Sequence, residues 1–111
     1  VLFRSKRGSL IAAEVKVAGM GQLRQLADSW RAEKLSDVLV LGTANGDKAN
    51  LLVAVSDDKV KAGLKAGDLI KSIAKAINGG GGGRPNLAQA GGKNPAGIQD
   101  ALKLAKEYMN K

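Results

Sequence analysis

The chain has neither cysteine nor histidine among its 111 residues. Without cysteine it has no disulfides and no thiolate metal sites. Without histidine it lacks the commonest general base and the commonest metal ligand. The only adjacent carboxylates, Asp57 and Asp58, precede a helical pattern, where capping is the more typical role. We therefore expect no catalytic residue, no metal site and no cofactor within this chain.

Aromatic residues are also scarce, with one phenylalanine, one tryptophan and one tyrosine. The core must therefore be aliphatic. Trp30 lies on a helical apolar stripe, which predicts a core residue rather than a stacking platform. No apolar run approaches the roughly 20 residues that a membrane-spanning helix needs, and no signal peptide is evident. We expect no membrane partner and a cytoplasmic location.

Positive charge is in excess, with a net charge of +8. This charge favours a polyanionic partner such as nucleic acid. Residues 1–9 carry three of the basic side chains, and we interpret them as a tag or the remnant of an upstream linker. Fifteen basic residues against ten acidic ones remain from Leu10 onward. The basic character thus belongs to the predicted domain, residues 10–111.

Apolar patterning predicts about four strands. An apolar opening at 10–13 that becomes alternating over 13–17 indicates the first strand. The continuous apolar runs 38–41 and 51–55 indicate strands buried on both faces. Asn45-Gly46 between these two runs is a strong hairpin signal. Residues 87–90, after a turn at Pro85-Asn86, are expected to form a short edge strand.

Three amphipathic helices are predicted, over residues 23–34, 66–77 and 98–109. Asn94 with Pro95 behind it is typical of a helix cap and first helical position. The resulting order is β-α-β-β-α-(Gly loop)-β-α. This order indicates a single small α/β domain whose mixed sheet carries helices on both faces.

Five consecutive glycines, Gly79–Gly83, run directly into Arg84. Glycine lets another molecule approach the backbone closely, because no Cβ is in the way. Consecutive amide N–H groups can form a concave anion site, and an arginine fork matches phosphate oxygens. The run follows a helix and lacks a G-K-[ST] sequence, so it matches neither a dinucleotide-binding fingerprint nor a P-loop. It predicts contact with a nucleic-acid backbone, and a flexible linker is the alternative.

Two basic features adjoin this run. A glycine turn and a lysine precede the last helix, where free N–H groups and the helix dipole favour an anion. Lysines also crowd the segment that leads into the run. The predicted nucleic-acid-binding residues are therefore Gly79, Gly80, Gly81, Gly82, Gly83, Arg84, Lys65, Lys71, Lys75, Gly91, Gly92 and Lys93. A side chain at Gly81 should obstruct this contact without unfolding the domain.

The glycine run, with Arg84-Pro85 and then AQAGGK over 88–93, resembles the signature of the DHH-associated domain. Segments 52–56, 63–67 and 69–74 resemble it too, and the likeness covers nearly the whole chain. It is similar in particular to the version in the C-terminal domain of bacterial alanyl-tRNA synthetases. That resemblance implies a non-catalytic domain that binds the outer corner of the alanine tRNA and supports aminoacylation and editing by other domains.

The resemblance also implies partners and cofactors. The partners would be the alanine tRNA and the rest of the synthetase chain, with at most weak self-association. ATP, Mg and zinc would belong to the full-length enzyme. Two alternatives remain open: the companion domain of a DHH-type phosphodiesterase or exonuclease, and the tail of a free-standing alanyl-tRNA editing hydrolase. DHH-type enzymes generally carry a histidine after the glycines, where this chain has Arg84.

Overall fold

The computed structural model describes residues 2–5 and 7–110, which form a mixed sheet with helices on both faces. The strands are β1 (Leu2–Ser5), β2 (Gly8–Glu14), β3 (Val38–Asn45), β4 (Lys48–Val55), β5 (Gly79–Arg84) and β6 (Leu87–Gly92). Their spatial order is β1-β2-β3-β4-β6-β5. The helices are α1 (Met20–Glu33), α2 (Asp57–Lys61), α3 (Ala66–Ala74) and α4 (Ile98–Met109). Single 3-10 turns span 75–77 after α3 and 95–97 before α4.

Strands β2 and β3 run parallel with α1 between them in sequence, and every other neighbouring pair is antiparallel. The β3–β4 hairpin closes through Gly46, whose φ of 62° is a left-handed conformation that glycine adopts without strain. The Asn45-Gly46 prediction is therefore confirmed. Both faces of β3 and β4 are buried over most of their length, as the continuous apolar runs indicated.

The sheet has a core on each face, and both are almost entirely aliphatic. Helices α3 and α4 cover one face, where Ile70 and Ile73 lie fully buried. Helix α1 covers the other face through Leu23, Ala27 and Trp30. Trp30 is only 3% exposed, and its Nε1 donates to Ser36 Oγ at 2.7 Å, so its predicted core role is confirmed. None of the described helices is long and apolar enough to cross a membrane.

The described residues form six strands rather than the four predicted. The glycine run, predicted as a loop, is strand β5, and it pairs with β6 along all six of its residues. At this side of the sheet the edge strand is therefore β5, and β6, which was predicted to be the edge, lies between β4 and β5. Glycine has a low strand propensity, but that propensity is a weak local preference. Here hydrogen bonding to β6 outweighs it.

The second additional strand is β1, which lies in the segment that we placed outside the domain. Leu2–Ser5 pairs with β2, and β2 itself begins at Gly8. Ser9 is tied to the start of β3, because its backbone N–H and its Oγ both approach Asp37 Oδ2, at 2.9 and 3.2 Å. The sheet thus extends into residues 1–9, since backbone pairing requires no apolar pattern. That this segment is a tag or linker remnant stays a prediction.

Candidate nucleic-acid interface

Strand β5 lies at one edge of the sheet, and its backbone is bare. Residues 80–84 are exposed and Gly79 is partly exposed. Helix α3 begins beside the strand, since a Cβ on Gly67 would lie 3.5 Å from Gly83 O. At about 3.3 Å per residue, the strand spans roughly 17 Å. Its first five residues offer main chain without side chains over most of that length.

Alternate glycines of Gly79–Gly83 differ in what a side chain would meet. A Cβ on any of the three odd-numbered glycines would collide with the backbone of β6; at Gly81 it would lie 2.6 Å from Ala90 Cα. A Cβ on Gly80 or Gly82 would meet nothing within 4 Å. Close approach to β6 therefore requires glycine at the odd-numbered positions and does not account for glycine at the even-numbered ones.

The open glycines face the side of the sheet that carries α1. Gly82 pairs with Gln89, whose Oε1 accepts a hydrogen bond from Arg24 Nη2 of α1 at 3.0 Å. Gly81 pairs with Ala90, which is buried in the core beneath α3 and α4. Because side chains alternate along a strand, Gly80 and Gly82 share the face of Gln89.

A third glycine on this face, where a Cβ would fit without collision, adjoins these two. Gly91 pairs with Gly80 on one side and with Asn50 of β4 on the other. A Cβ on Gly91 would have Asn50 Oδ1 as its nearest neighbour, at an ordinary contact distance of 3.7 Å. We call Gly80, Gly82 and Gly91 the glycine floor. Helix α1 leaves it uncovered, because that helix packs on β3 and β4.

Polar and basic side chains border the glycine floor. Arg24 and Gln89 form one side through their hydrogen bond, and Asn50 lies at another. Arg84, the last residue of β5, is exposed and shares the face of Gly82 by strand alternation. The border therefore offers two guanidinium groups and two neutral amides around a surface without side chains.

The structure brings two of the predicted cations to the turn end of β5. Arg84 ends the strand, and Lys65 stands directly before α3. Their segments are held together because the N–H of Ala66 donates to Pro85 O at 2.8 Å. Both side chains are exposed.

The other predicted lysines lie elsewhere. Lys71 is exposed on α3, one turn after Gly67, so it flanks β5 from the face opposite the glycine floor. Lys75 follows in the 3-10 turn. Lys93 comes directly after β6, at the end of the hairpin opposite Arg84. The predicted set is therefore distributed over both faces and both ends of one hairpin.

Packing requires glycine at Gly92, before the last helix, as well. A Cβ on Gly92 would collide with the backbone of Ile77. The side chain of Asn94 donates from Nδ2 to Ala76 O at 3.2 Å and makes no capping hydrogen bond. A 3-10 turn, with Pro95 in its first position, separates Asn94 from α4. Asn94 and Pro95 thus take the predicted cap and first positions, but in the 3-10 turn rather than in α4, and the Asn94 side chain bonds to Ala76 instead of capping.

The Gly81 substitution also needs correction. We expected a side chain there to block a ligand without unfolding the domain, but it would meet the backbone of β6 first. A side chain at Gly80 or Gly82 would meet no protein atom within 4 Å, so substitutions there test ligand contact without disturbing the packing.

The two adjacent carboxylates stabilise the start of a helix. Asp57 and Asp58 lie in the first turn of α2, where negative charge suits the helix dipole. Asp57 also pairs with Arg31 of α1, with 3.8 Å between Oδ1 and Nη1. The residue in front of the helix is Ser56, so the carboxylates are not its caps. Within 2–5 and 7–110, no three acidic residues are grouped closely enough to hold a metal ion.

Sequence reasoning missed Arg24, Asn50 and Gln89 as candidate contact residues. Arg24 and Gln89 are 65 positions apart, and they meet only because the fold brings the start of α1 within hydrogen-bond distance of β6. Asn50 sits in a strand that otherwise reads as core. Its polar side chain, directly before the apolar run 51–55, was a local signal.

Comparison with known proteins agrees with this fold. A model of the DHHA1 domain matches residues 7–111. The alanine–tRNA ligase of Lactiplantibacillus plantarum is 68% identical over 101 residues, which is 91% of this chain and 12% of that protein. The ligase of Latilactobacillus sakei is 66% identical over 100 residues, 90% of this chain and 11% of that protein. The chain thus spans about an eighth of the length of these relatives.

Two solved structures share the fold. The C-Ala domain of Aquifex aeolicus alanyl-tRNA synthetase superposes with a TM-score of 0.89 at 32% identity, covering 100% of this chain and 99% of that one. A DHH-domain protein described as a member of a family of ribosomal proteins gives 0.66 at 14% identity, over 100% of this chain and 28% of that one. This second likeness concerns the fold alone.

The chain belongs to the DHHA1 domain family. Its fold is that of the C-Ala domain, and its relatives of 66–68% identity are alanine–tRNA ligases. It is therefore a domain of the alanyl-tRNA synthetase type and corresponds to a fragment of that enzyme.

Proposed function

We propose that this domain is a non-catalytic tRNA-binding module of an alanyl-tRNA synthetase. By family resemblance it contacts the outer corner of the alanine tRNA, where the D- and T-loops meet, and helps one tRNA serve aminoacylation and editing centres in other domains. The rest of the synthetase chain is its covalent partner, and the setting is the cytoplasm. ATP, Mg and zinc act elsewhere in the full-length enzyme.

One observation carries the proposal: β5 exposes two glycines that packing does not require, beside cations that suit a phosphate backbone. A side chain at Gly80 or Gly82 would meet no protein atom within 4 Å, so the bare backbone leaves room for another molecule. Arg84 and Lys65 lie at one end of the strand, and Lys93 lies at the other. The net charge of +8 supports a polyanion as that molecule.

Titration of labelled alanine tRNA at several salt concentrations tests the proposal. If about three to five phosphates are neutralised, log K should fall against log salt with a slope of roughly −2 to −4. Removing only the acceptor end of the tRNA should leave affinity nearly unchanged. A flat salt dependence, or loss of binding without the acceptor end, would contradict the proposal.

Arg84→Ala probes the turn end of β5. A charge-assisted hydrogen bond to phosphate contributes about 1.5–3 kcal/mol, so affinity should fall at least about tenfold. Arg84→Lys should recover only part of the loss, because the planar fork is missing. Lys103→Ala is the matched control, since Lys103 is exposed on α4 behind the sheet. If Arg84→Ala lowers the melting temperature and leaves affinity unchanged, Arg84 is a structural residue.

Absence of catalysis is a separate part of the proposal. The purified chain should neither aminoacylate nor deacylate tRNA, and it should leave single-stranded RNA intact with Mg²⁺ or Mn²⁺ present. Metal-dependent cleavage would favour the phosphodiesterase alternative instead.

A further inference from the structure

We propose that the glycine floor, Gly80, Gly82 and Gly91, is a stacking surface for one unpaired nucleobase of the bound RNA, whose edge is read by Asn50 and Gln89. This inference rests on the proposed function and goes beyond it, because phosphate contacts alone do not need such a surface.

The floor carries no side chains because three glycines adjoin one another on one face of two paired strands. Gly80 lies opposite Gly91, and Gly82 lies two residues along the same strand, on the same face. A Cβ on Gly80 or Gly82 would meet nothing within 4 Å. A planar ring can therefore lie directly on the peptide groups of β5 and β6. A side chain at any of the three glycine positions would prevent this contact.

The described aromatic side chains do not offer an alternative platform. Trp30 is buried in the core at 3% exposure. Tyr108 is partly buried, with the Arg7 guanidinium 4.7 Å from its ring centre. Stacking on aromatic rings is the usual way in which proteins hold single-stranded bases. The glycine floor, by contrast, is exposed at all three glycines and lies near the candidate cations.

The chemistry of the border distinguishes a base from a phosphate. A phosphate needs donors only, whereas Asn50 and Gln89 carry amides that both donate and accept, as base edges do. The hydrogen bond from Arg24 Nη2 occupies Gln89 Oε1 at 3.0 Å, so it orients the amide and leaves the NH₂ group to donate to a base. Arg24 and Arg84 add positive charge beside the floor for the phosphates that flank that base.

Two RNA hairpins of equal charge test this assignment. They share a stem and loop backbone, and the loop of the second has abasic riboses in place of nucleosides. Stacking on an aromatic ring is worth roughly 5- to 150-fold in affinity per base, and stacking on peptide groups should lie at the low end, so the wild-type chain should prefer the natural loop about fivefold.

The Gly80→Ala/Gly82→Ala variant should remove this preference. Two methyl groups would lift the ring from the peptide plane, and even a gap of about 1 Å forfeits much of the contact energy. Both hairpins should then bind within about twofold of each other. Gly67→Ala is the control, because it adds a methyl near the same strand from the α3 side, at ordinary contact distance. It should keep the wild-type preference, and thermal melts report whether each variant is folded.

The outcomes separate the two proposals. If the wild type binds alanine tRNA but binds both hairpins equally, or if the folded double variant keeps its preference, the stacking surface is refuted and the tRNA proposal stands. If the chain does not bind alanine tRNA, both proposals are refuted. If it binds alanine tRNA and neither hairpin, only the stacking surface is refuted.

Discussion

The even- and odd-numbered glycines of β5 stand side by side in one strand, yet different constraints act on them. The odd-numbered glycines lie against the backbone of β6, where any Cβ would collide. The even-numbered ones face open space, where a side chain would be accommodated. A run that looks uniform in sequence therefore contains two alternating sets. Close packing within the hairpin explains the first set, and a ligand that approaches the backbone would explain the second.

The largest effect should come from breaking the packed set. Gly81→Ala places a methyl group 2.6 Å from Ala90 Cα, so β5 and β6 must move apart there. Overpacking of this kind costs about 1–3 kcal/mol, which lowers the melting temperature of a domain this size by roughly 4–20 °C. Thermal melts followed by circular dichroism measure it. An unchanged melting temperature would mean that β5 moves freely away from β6, and the distinction between the two glycine sets would fail.

The two arginines of α1 that reach the β5–β6 region extend the comparison. Arg31 Nη2 donates to Asn86 O at 3.1 Å, and the side chain also approaches Val55 O at 3.4 Å, so it ties the helix to the sheet. Arg31→Ala should destabilise the domain by about 1–2 kcal/mol. Arg24 makes one exposed hydrogen bond, so Arg24→Ala should change stability by less than about 0.5 kcal/mol. Urea unfolding of both variants checks this, and equal losses would contradict the assignment of Arg24 to the ligand surface.

A smaller effect, of opposite sign, is expected at the open set. Gly82→Ala adds a side chain where space is free, and it reduces the conformational entropy of the unfolded chain. Stability should rise by about 0.4–1 kcal/mol while affinity for tRNA falls. Chemical denaturation and tRNA titration on the same preparation measure both. A loss of stability comparable to that of Gly81→Ala would show that the open position is not open.

The smallest effect concerns a residue that is not glycine although its backbone favours it. Lys34 ends α1 with φ 51° and ψ 49°, in the left-handed conformation, and its N–H donates to Arg31 O. Lys34→Gly should stabilise the domain by about 0.5 kcal/mol, because glycine adopts this conformation without strain. Differential scanning calorimetry should show a slightly higher melting temperature. A decrease would indicate that the lysine side chain contributes packing that offsets the strain.

Much of the fold was predictable because it depends on local patterns. The apolar runs of β3 and β4, the Asn45-Gly46 turn and the stripes of α1, α3 and α4 all follow from periodicity and turn chemistry. The strand nature of Gly79–Gly83 was not predictable in this way. Glycine carries no side-chain pattern, and β5 exists because β6 pairs with it. For the same reason the edge of the sheet was placed on the wrong strand.

The candidate site likewise has a part that local sequence predicted and a part that depends on tertiary contacts. The glycine run and Arg84 were visible in the sequence, because their chemistry resides in consecutive residues. The glycine floor, and its border of Arg24, Asn50 and Gln89, was not visible. It combines three strands and a helix whose contacts span up to 65 positions. Lysines that are close in sequence, such as Lys65 and Lys71, meanwhile lie at different places around the hairpin.

The sequence by itself determined the aliphatic core, the positive charge, the family and the order of most elements. These properties depend on amino-acid composition, on motifs of consecutive residues and on the spacing of apolar residues within short segments. Only the tertiary structure decided which glycines are held by packing and which remain open. That distinction depends on the distance between two backbones, and such a distance is set by how β5 pairs with β6 rather than by any residue of the run itself.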